Sequence, residues 1–298
     1  MRPAHARIDL SALQHNFDLA KQLQNGPTLA VVKADAYGHG ATACAQALTG
    51  RADGFAVSCI EEALELRAAG MNAPILLLEG FFQASELAVC VEQDFWVVLH
   101  ASWQLEAIEA AELTAPLNCW IKIDTGMHRI GFVPSEVASV YQRLQDSQKV
   151  QRITLMTHMA QADHLESEFT QQQLAVFQAA IAGLDVDVSF SNSAMLLGWG
   201  STTQGWGRPG IMLYGCSPFG QACTELQPVM TLESEIIAVR ELPAGESVGY
   251  GGRFVTQRAT RLGVVAMGYG DGYPRHAKNG TPVWVAGQRA PLVGTVSM

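Results

Sequence analysis

Eight short apolar runs, each bounded by polar or turn-forming residues, recur along the first 214 residues of this chain. They occupy residues 29–32, 55–57, 75–78, 95–99, 117–123, 153–156, 186–190 and 211–214. Runs of this length are typical of buried strands, and helix-like stretches separate most of them. Because strands that alternate with helices form parallel sheets, the pattern predicts an α/β fold, a (β/α)₈ TIM barrel. The alternative, a doubly wound open sheet, would favour a G-x-G-x-x-G fingerprint after the first strand, and the sequence has none there.

The pattern changes near residue 226, where helical periodicity stops and strand-like runs at 233–239 and 263–267 alternate with turn signals. We therefore expect a barrel domain over residues 1–225 and an all-β domain over residues 226–298. The chain stops at Met298 inside an apolar run without a closing turn. From this we expect the β domain to be incomplete at its C-terminus. Ahead of the first barrel strand, residues 11–23 read as a helix with Ser11 as its N-cap.

Composition narrows the class of function. Hydrophobic residues make up 48% of the chain and charged residues 16%, as in an ordinary globular enzyme. The net charge is −9 and no basic run occurs, so we expect no nucleic-acid partner. We also expect a cytoplasmic protein without a membrane span, because no signal-peptide core and no apolar stretch of about 18 residues is present. The six cysteines are scattered without a C-x-x-C pair, which predicts reduced thiols and no metal site.

One lysine stands out. Lys33 follows the apolar run 29–32 directly and is itself followed by a polar, glycine-containing loop. Lysine is almost never fully buried without a partner. Lys33 is therefore either paired with Asp35 or employed chemically, since an amine in a dry pocket can form a Schiff base with a carbonyl cofactor. These residues alone leave both interpretations open.

Four ordered motifs carry a family resemblance. The segment V-K-A-D-A-Y-G-H-G at 32–40 resembles the cofactor-lysine signature of bacterial alanine racemases, which use pyridoxal phosphate (PLP). K-I-D-T-G-M-H-R-I-G at 122–131, T-H-M-A-Q-A-D at 157–163 and R-P-G-I at 208–211 are similar to further motifs of that family, in the same order. The similarity extends from Arg2 to the last residue.

The resemblance implies a fold-type III, PLP-dependent racemase that interconverts L- and D-alanine by a two-base mechanism. The D-alanine would serve peptidoglycan synthesis or be catabolised. Two alternatives stay open at this point. One is a racemase of broader amino-acid range, and the other is a non-catalytic PLP-binding barrel protein, if truncation abolishes activity.

The resemblance also assigns the cofactor site. Lys33 would hold PLP as a Schiff base. Tyr37, Ser193, Gly210 and Ile211 would surround its phosphate, with Asn192 beside them. Taken singly, Ser193 and Gly210 are equally typical of a helix cap and a turn.

Arg208 would face the pyridine nitrogen of PLP, where most PLP enzymes place a carboxylate. An arginine keeps its own proton and so leaves that nitrogen unprotonated. The carbanion is then less delocalised, which favours its reprotonation over transamination. His158 would lie behind the ring and hydrogen-bond to a catalytic tyrosine.

Racemisation requires a base on each face of the substrate α-carbon. The resemblance assigns these roles to Lys33 and Tyr250, and Tyr250 would come from the partner subunit of a homodimer. Arg129 would contact the cofactor's phenolic oxygen and the substrate carboxylate. Lys122 corresponds to a lysine that is often carbamylated in relatives and orients that arginine, although a Lys122–Asp124 pair at the strand end explains the residues equally well. The backbone amide of Met298 would hold the substrate carboxylate.

Two departures from the family pattern weaken the expectations for substrate entry. Thr295 stands where many relatives have an arginine lining the entry corridor. The C-terminal tyrosine that packs on the second base in relatives has no counterpart in these 298 residues.

Overall fold

The structure is a computed structural model that describes residues 2–298. It contains two compact units. Asp9–Val229 form the barrel unit, whereas the residues up to Ile8 join Met230–Met298 in a second unit. This division differs from the expected boundary at 225/226, because an N-terminal strand belongs with the C-terminal residues.

The chain begins with strand β1 (His5–Ile8) and helix α1 (Leu10–Gln24). Asp9, not the predicted Ser11, caps this helix: its carboxylate accepts hydrogen bonds of 3.0 Å from the backbone amides of Ser11 and Ala12. Asn25 ends the helix in a left-handed conformation with φ of 50°, as residues at this C-cap position often do.

Seven parallel strands form one curled sheet in sequence order, which confirms a TIM-barrel-like fold. They are β2 (Leu29–Val31), β3 (Gly54–Val57), β4 (Ile75–Leu77), β5 (Phe95–Leu99), β6 (Leu117–Lys122), β7 (Val150–Met156) and β8 (Asp187–Ser189). Every residue of β2 to β6 is buried. Near-continuous apolar strands are expected where both faces of a sheet are covered.

Helices follow these strands. They are α2 (Lys33–Gly38), α3 (Ala41–Ala47), α4 (Ile60–Ala68), α5 (Leu87–Glu92), α6 (Ser102–Ala110), α7 (Val137–Asp146), α8 (Phe169–Ala180) and α9 (Ser193–Gly198). Helix α7 illustrates why they form: Val137, Val140 and Leu144 recur at helical spacing and are buried, while the opposite face stays polar. Over residues 2–298, no helix combines the length and apolar character that crossing a bilayer requires.

The prediction of the eighth strand was wrong. Ile211–Tyr214 form a 3₁₀ helix, and the extended segment 205–209 occupies the eighth position of the barrel instead. Its Trp206 amide donates to the Val188 carbonyl of β8, while the carbonyls of Gly207 and Pro209 accept from the amides of Leu29 and Val31 of β2. Glycine is required at 205, because a Cβ there would lie 2.0 Å from the Val188 carbonyl oxygen.

Three tryptophans fill the barrel interior. Trp96, Trp120 and Trp206 have ring centroids 5.3–6.1 Å apart and pack with aliphatic side chains of β2, β3, β4, β5 and β7. Such aromatic clusters bury large areas. The interior is thus a packed core, so binding and catalytic residues are expected at the ends of the strands.

The second unit is built from antiparallel strand pairs, which confirms the prediction of an all-β region. Its further strands are β9 (Met230–Glu233), β10 (Ile236–Leu242), β11 (Ser247–Val248), β12 (Phe254–Val255), β13 (Thr260–Val265), β14 (Pro282–Val285) and β15 (Gln288–Pro291). The pairs are β1–β9, β10–β13, β11–β12 and β14–β15.

Candidate functional site

The carboxyl ends of the barrel strands gather the polar residues that the motifs singled out. Lys33 follows β2, Lys122 is the last residue of β6, and His158 lies two residues beyond β7. Ser193 begins α9 after β8, and Arg208 lies in the closing segment. In barrels of this type the carboxyl end is where binding and catalytic residues lie.

Lys33 is held by an unusual backbone. The four residues after it, 34–37, all adopt left-handed helical angles with φ between 52° and 55°. Each such residue costs roughly 1–2 kcal/mol when it is not glycine, so surrounding contacts must stabilise the turn. The alternative pairing with Asp35 is not what holds Lys33, because the Asp35 carboxylate accepts a 2.7 Å hydrogen bond from the Ala41 amide.

Several contacts fix this turn from outside. Glu62 accepts a 2.7 Å hydrogen bond from the Ala34 amide. Tyr214 donates its hydroxyl proton to the Val31 carbonyl at 2.9 Å, and its ring packs on Tyr37 and His39 with centroids 4.8 Å and 4.6 Å away. The Lys33 backbone is therefore held by contacts from helix α4 and from the 3₁₀ helix.

Tyr37, Ser193 and Gly210 lie together. A Cβ on Gly210 would lie 2.5 Å from the Tyr37 hydroxyl oxygen, so only glycine leaves room there. The Ser193 Oγ accepts from the Gly210 amide at 3.0 Å and the Met212 amide at 3.3 Å. A hydroxyl has two acceptor positions and one proton, and Ser193 therefore keeps its proton for a further acceptor. Gly210 contributes room, since its amide is already engaged.

Asn192 and Ile211 flank these residues in different ways. The Asn192 side chain caps α9 by accepting from the Met195 amide at 3.0 Å, and it donates to the Met159 carbonyl at 3.2 Å. This ties α9 to the loop after β7. Ile211 is partly exposed, with 36% of its surface accessible.

Arg208 is buried and bonded to backbone and side chains of two strand ends. Its guanidinium donates to the Ser189 hydroxyl and to the Thr157 carbonyl, the latter at 2.8 Å. Burial lowers the pKa of Arg208 to about 10. Arg208 therefore stays protonated at neutral pH.

His158 is a neutral acceptor toward Arg208. An Arg208 Nη lies 3.5 Å from the His158 Nδ1. Because a guanidinium only donates, Nδ1 accepts and the ring proton sits on Nε2. Burial, then the charges of Arg208, Lys122, Arg129 and Lys33, hold the pKa of His158 well below its usual value.

Lys122 lies among the same cations. It is 6% exposed, and burial together with the charges of Arg208, Arg129 and Lys33 lowers its pKa to about 7. Near neutral pH a substantial fraction of Lys122 is therefore an uncharged amine. Among residues 2–298, no group of three or more His, Cys, Asp or Glu side chains is placed to hold a metal ion.

The loop after β6 carries Arg129. The alternative Lys122–Asp124 pair does not form, because Asp124 accepts instead from the amides of Gly126 and His128, at 3.1 Å and 2.9 Å. Its other oxygen lies 3.1 Å from the His128 ring. These contacts fold the loop back on itself and leave Arg129 exposed.

Tyr250 and Met298 belong to the second unit. Tyr250 begins a short 3₁₀ turn (Tyr250–Gly252) and is 67% exposed within the described structure. The Met298 carbonyl accepts a 2.9 Å hydrogen bond from the Gly270 amide, and its side chain is exposed.

Sequence reasoning missed three residues that support this site: Glu62, Tyr214 and Gln173. Glu62 carried a signal, since a glutamate at the third position of a helix commonly reaches back to the helix start. The Gln173 amide donates to Thr125 Oγ and to the His158 carbonyl, both at 3.2 Å. Gln173 therefore links the loops that carry Arg129 and His158. These loops are distant in sequence, so no pattern in the sequence indicated this contact.

Two family models together match most of the chain. The family models "Alanine racemase, N-terminal domain" and "Alanine racemase, C-terminal domain" match residues 8–218 and 229–298. The chain is 62% identical over 301 aligned positions to an alanine racemase of Pseudomonas fluorescens Pf-5 and to a catabolic alanine racemase of Pseudomonas putida KT2440. Both alignments cover 100% of this chain and 84% of the relative.

Solved structures agree. The biosynthetic alanine racemase of Pseudomonas aeruginosa matches with a TM-score of 0.96 and 46% identity, covering 100% of this chain and 84% of that one. The alanine racemase of Bartonella henselae, solved with covalently bound pyridoxal phosphate, matches with a TM-score of 0.88 and 32% identity over the same shares.

Proposed function

Because this chain belongs to the alanine racemase family, we propose that Lys33 and Tyr250 are the two bases with which it interconverts L- and D-alanine. The activity is that of an isomerase, and pyridoxal phosphate is its cofactor. The role of Lys33 is supported by its position among the polar residues at the carboxyl ends of the barrel strands.

The observation that carries the proposal is the convergence of basic side chains near His158 at the carboxyl end of the barrel. Lys33, Lys122, Arg129 and Arg208 all contribute charge at His158. PLP and the alanine carboxylate are both anionic, and a cluster of this kind attracts them. The residues present therefore fit the cofactor: an amine at a strand end, a spare hydroxyl proton and a glycine that leaves room.

The cofactor's phosphate would be held by Tyr37 and Ser193. Burial raises the pKa of Tyr37, so its hydroxyl keeps its proton and donates. Ser193 has one proton to donate, as its acceptor positions are occupied. Gly210, Ile211 and Asn192 shape the same region, Gly210 by the absence of a side chain.

Arg208 would lie at the pyridine nitrogen. Its bonds to Ser189 and Thr157 fix the guanidinium, and its charge keeps His158 neutral. A guanidinium offers hydrogen-bond donors but no acceptor, so the ring nitrogen would accept and stay unprotonated. PLP, when bound, supplies the electron sink that acidifies the substrate Cα–H bond.

The proton transfers would fall to Lys33 and Tyr250. In one direction, the Lys33 Nζ removes the α-proton from one face and the Tyr250 hydroxyl returns one on the opposite face. In the other direction the roles reverse, with the Tyr250 oxygen as the base. Two bases are needed, since one group fixed on one face returns a proton only to that face.

Arg129 and the Met298 amide would hold the substrate carboxylate. Lys122, an amine with a pKa near 7, would orient Arg129, either as the free amine or after carbamylation.

We propose a homodimer in which the partner subunit supplies the second base. This is supported by the exposure of Tyr250, whose side chain is 67% accessible within the described structure and is therefore open to contact with a second copy of the chain. We place the reaction in the cytoplasm, where reducing conditions keep cysteines free; all six cysteines are free thiols.

Lysine replacement tests the role of Lys33. Borohydride should attach the cofactor irreversibly to the protein, and mass spectrometry should locate it on the peptide containing Lys33. Lys33→Ala should abolish this attachment and lower racemisation by at least about 10³-fold, while circular dichroism stays unchanged. Attachment that persists in Lys33→Ala would show that another lysine holds the cofactor.

A further inference from the structure

The turn that carries Lys33 is tied to the neighbouring barrel strand by one carboxylate. Glu62 accepts from the Ala34 amide through one oxygen and from the Ser58 amide through the other, both at 2.7 Å. Ala34 directly follows Lys33, and Ser58 directly follows β3. A single side chain thus joins the ends of two adjacent strands at the candidate site.

A capping role explains only half of this geometry. Glu62 lies in the first turn of α4, where a glutamate reaching back to the helix start is common. One oxygen, the acceptor for Ser58, suffices for that. The other oxygen accepts from the Ala34 amide, which lies outside α4 and beyond the end of a different strand, so it does not cap α4.

The second contact, from the Ala34 amide to Glu62, lies at the start of the left-handed turn. Ala34 is the first of the four residues with left-handed angles, at φ 52° and ψ 52°. Residues in such conformations persist when their surroundings over-determine them. Among residues 34–37, Ala34 is the one whose amide receives a charged acceptor from outside the turn. Charge-assisted hydrogen bonds of this length are the stronger kind.

We propose that Glu62 is the positioning residue of Lys33: it holds the left-handed turn in place and so fixes where the Lys33 amine stands at the cofactor site. The inference rests on the proposed role of Lys33 and adds a residue to which no role has been given. Glu62 does not itself contact substrate or cofactor in this proposal.

The test compares Glu62→Gln with Glu65→Gln on the protein carrying its cofactor. A glutamine keeps one oxygen but brings an NH₂ group, which cannot accept from the second amide. Glu65 lies on the same helix, is exposed, and has only a 3.5 Å contact with Thr42. It is therefore a matched control for loss of one carboxylate.

Two measurements are informative. Hydroxylamine should release the cofactor from Glu62→Gln about tenfold faster than from the unaltered protein or from Glu65→Gln. Hydrogen exchange should increase in the peptide spanning residues 33–40 in Glu62→Gln alone. Faster exchange there with unchanged release would mean that Glu62 only supports the fold, and equal behaviour of both variants would overturn the proposal.

A double-variant cycle keeps the proposal testable if Glu62→Gln loses stability. Ala34→Gly eases the left-handed conformation, because glycine adopts positive φ freely. In that background Glu62→Gln should accelerate release by only about threefold. Additive effects would contradict the proposal. If borohydride locates no cofactor on Lys33 in the unaltered protein, the proposed function fails, whereas cofactor on Lys33 with no Glu62 effect refutes this inference alone.

Discussion

The barrel unit buries candidate site residues such as Arg208 and Lys122, whereas the second unit leaves its candidate base, Tyr250, exposed. Arg208 and Lys122 are 4% and 6% exposed; burial lowers the pKa of both, and neighbouring charges lower that of Lys122 further. Tyr250, in the second unit, is 67% exposed. The barrel residues thus have their surroundings within their own unit, whereas the proposed second base lies at an exposed position.

The strands show the same contrast. Leu76 of β4 is fully buried in the tryptophan cluster, while Ile237 of β10 is 63% exposed. Leu76→Ala should cost about 2–5 kcal/mol of unfolding free energy through lost contacts and a cavity. Ile237→Thr should change it by less than about 0.5 kcal/mol, as for other surface sites. Denaturant unfolding at low protein concentration measures both.

A large loss of unfolding free energy in Ile237→Thr would contradict this contrast between the two units. It would mean that another surface covers this strand face in solution. Repeating the measurement over a hundredfold range of protein concentration would then separate coverage by a second copy from coverage within one chain, since only the former depends on concentration.

Arg208 tests whether the barrel sets its own pKa values. Arg208→Gln removes the charge that, after burial, most depresses the pKa of His158. We expect that pKa to rise toward its usual value, as followed by NMR of the imidazole. Racemisation should fall by about 10²-fold, and a larger share of turnovers should end in pyruvate. An unchanged His158 titration together with an unchanged pyruvate share would show that Arg208 acts on neither group.

The lowered pKa of Lys122 predicts how the free energy of unfolding depends on pH. Its pKa is about 7 in the folded protein, against an ordinary value of 10.5. Between these values the unfolded chain binds more protons, so stability rises with pH in this window. From pH 7 to pH 9 the gain is about 2 kcal/mol. In buffer freed of carbon dioxide, which reacts with neutral amines, Lys122→Met should lose this rise. A rise that persists in Lys122→Met would assign it to other groups.

Much of the barrel was predictable from sequence, because seven of the eight predicted runs are strands, and Lys33, Lys122, His158 and Ser193 all lie at the carboxyl ends of such strands. The eighth was wrong for a physical reason. The closing segment, Gly205–Pro209, is rich in glycine and ends in proline, so it carries no apolar-run signal, whereas the apolar run at 211–214 is a buried 3₁₀ helix.

The left-handed turn after Lys33 was not predictable. Of Ala34-Asp35-Ala36-Tyr37, only Asp35 is a residue type that adopts positive φ with any frequency, and then as a single residue, so the sequence does not predict a run of four. Residues that are distant in sequence contact this turn, among them Glu62 at the Ala34 amide and Tyr214 at the Tyr37 ring. Sequence motifs identified the candidate residues of the site, and tertiary contacts determine the geometry in which they stand.

Solvent exchange of the substrate α-hydrogen measures the two-base proposal most directly. In D₂O, Tyr250→Phe should retain exchange of D-alanine through Lys33, while exchange of L-alanine should fall by about 10²-fold or more. Tyr141→Phe, a change on the outer helix α7 where the tyrosine hydroxyl contacts only Gln145 among the described residues, should exchange both enantiomers as the unaltered protein does. Equal exchange of L- and D-alanine by Tyr250→Phe would contradict the assignment and leave Lys33 as the only base.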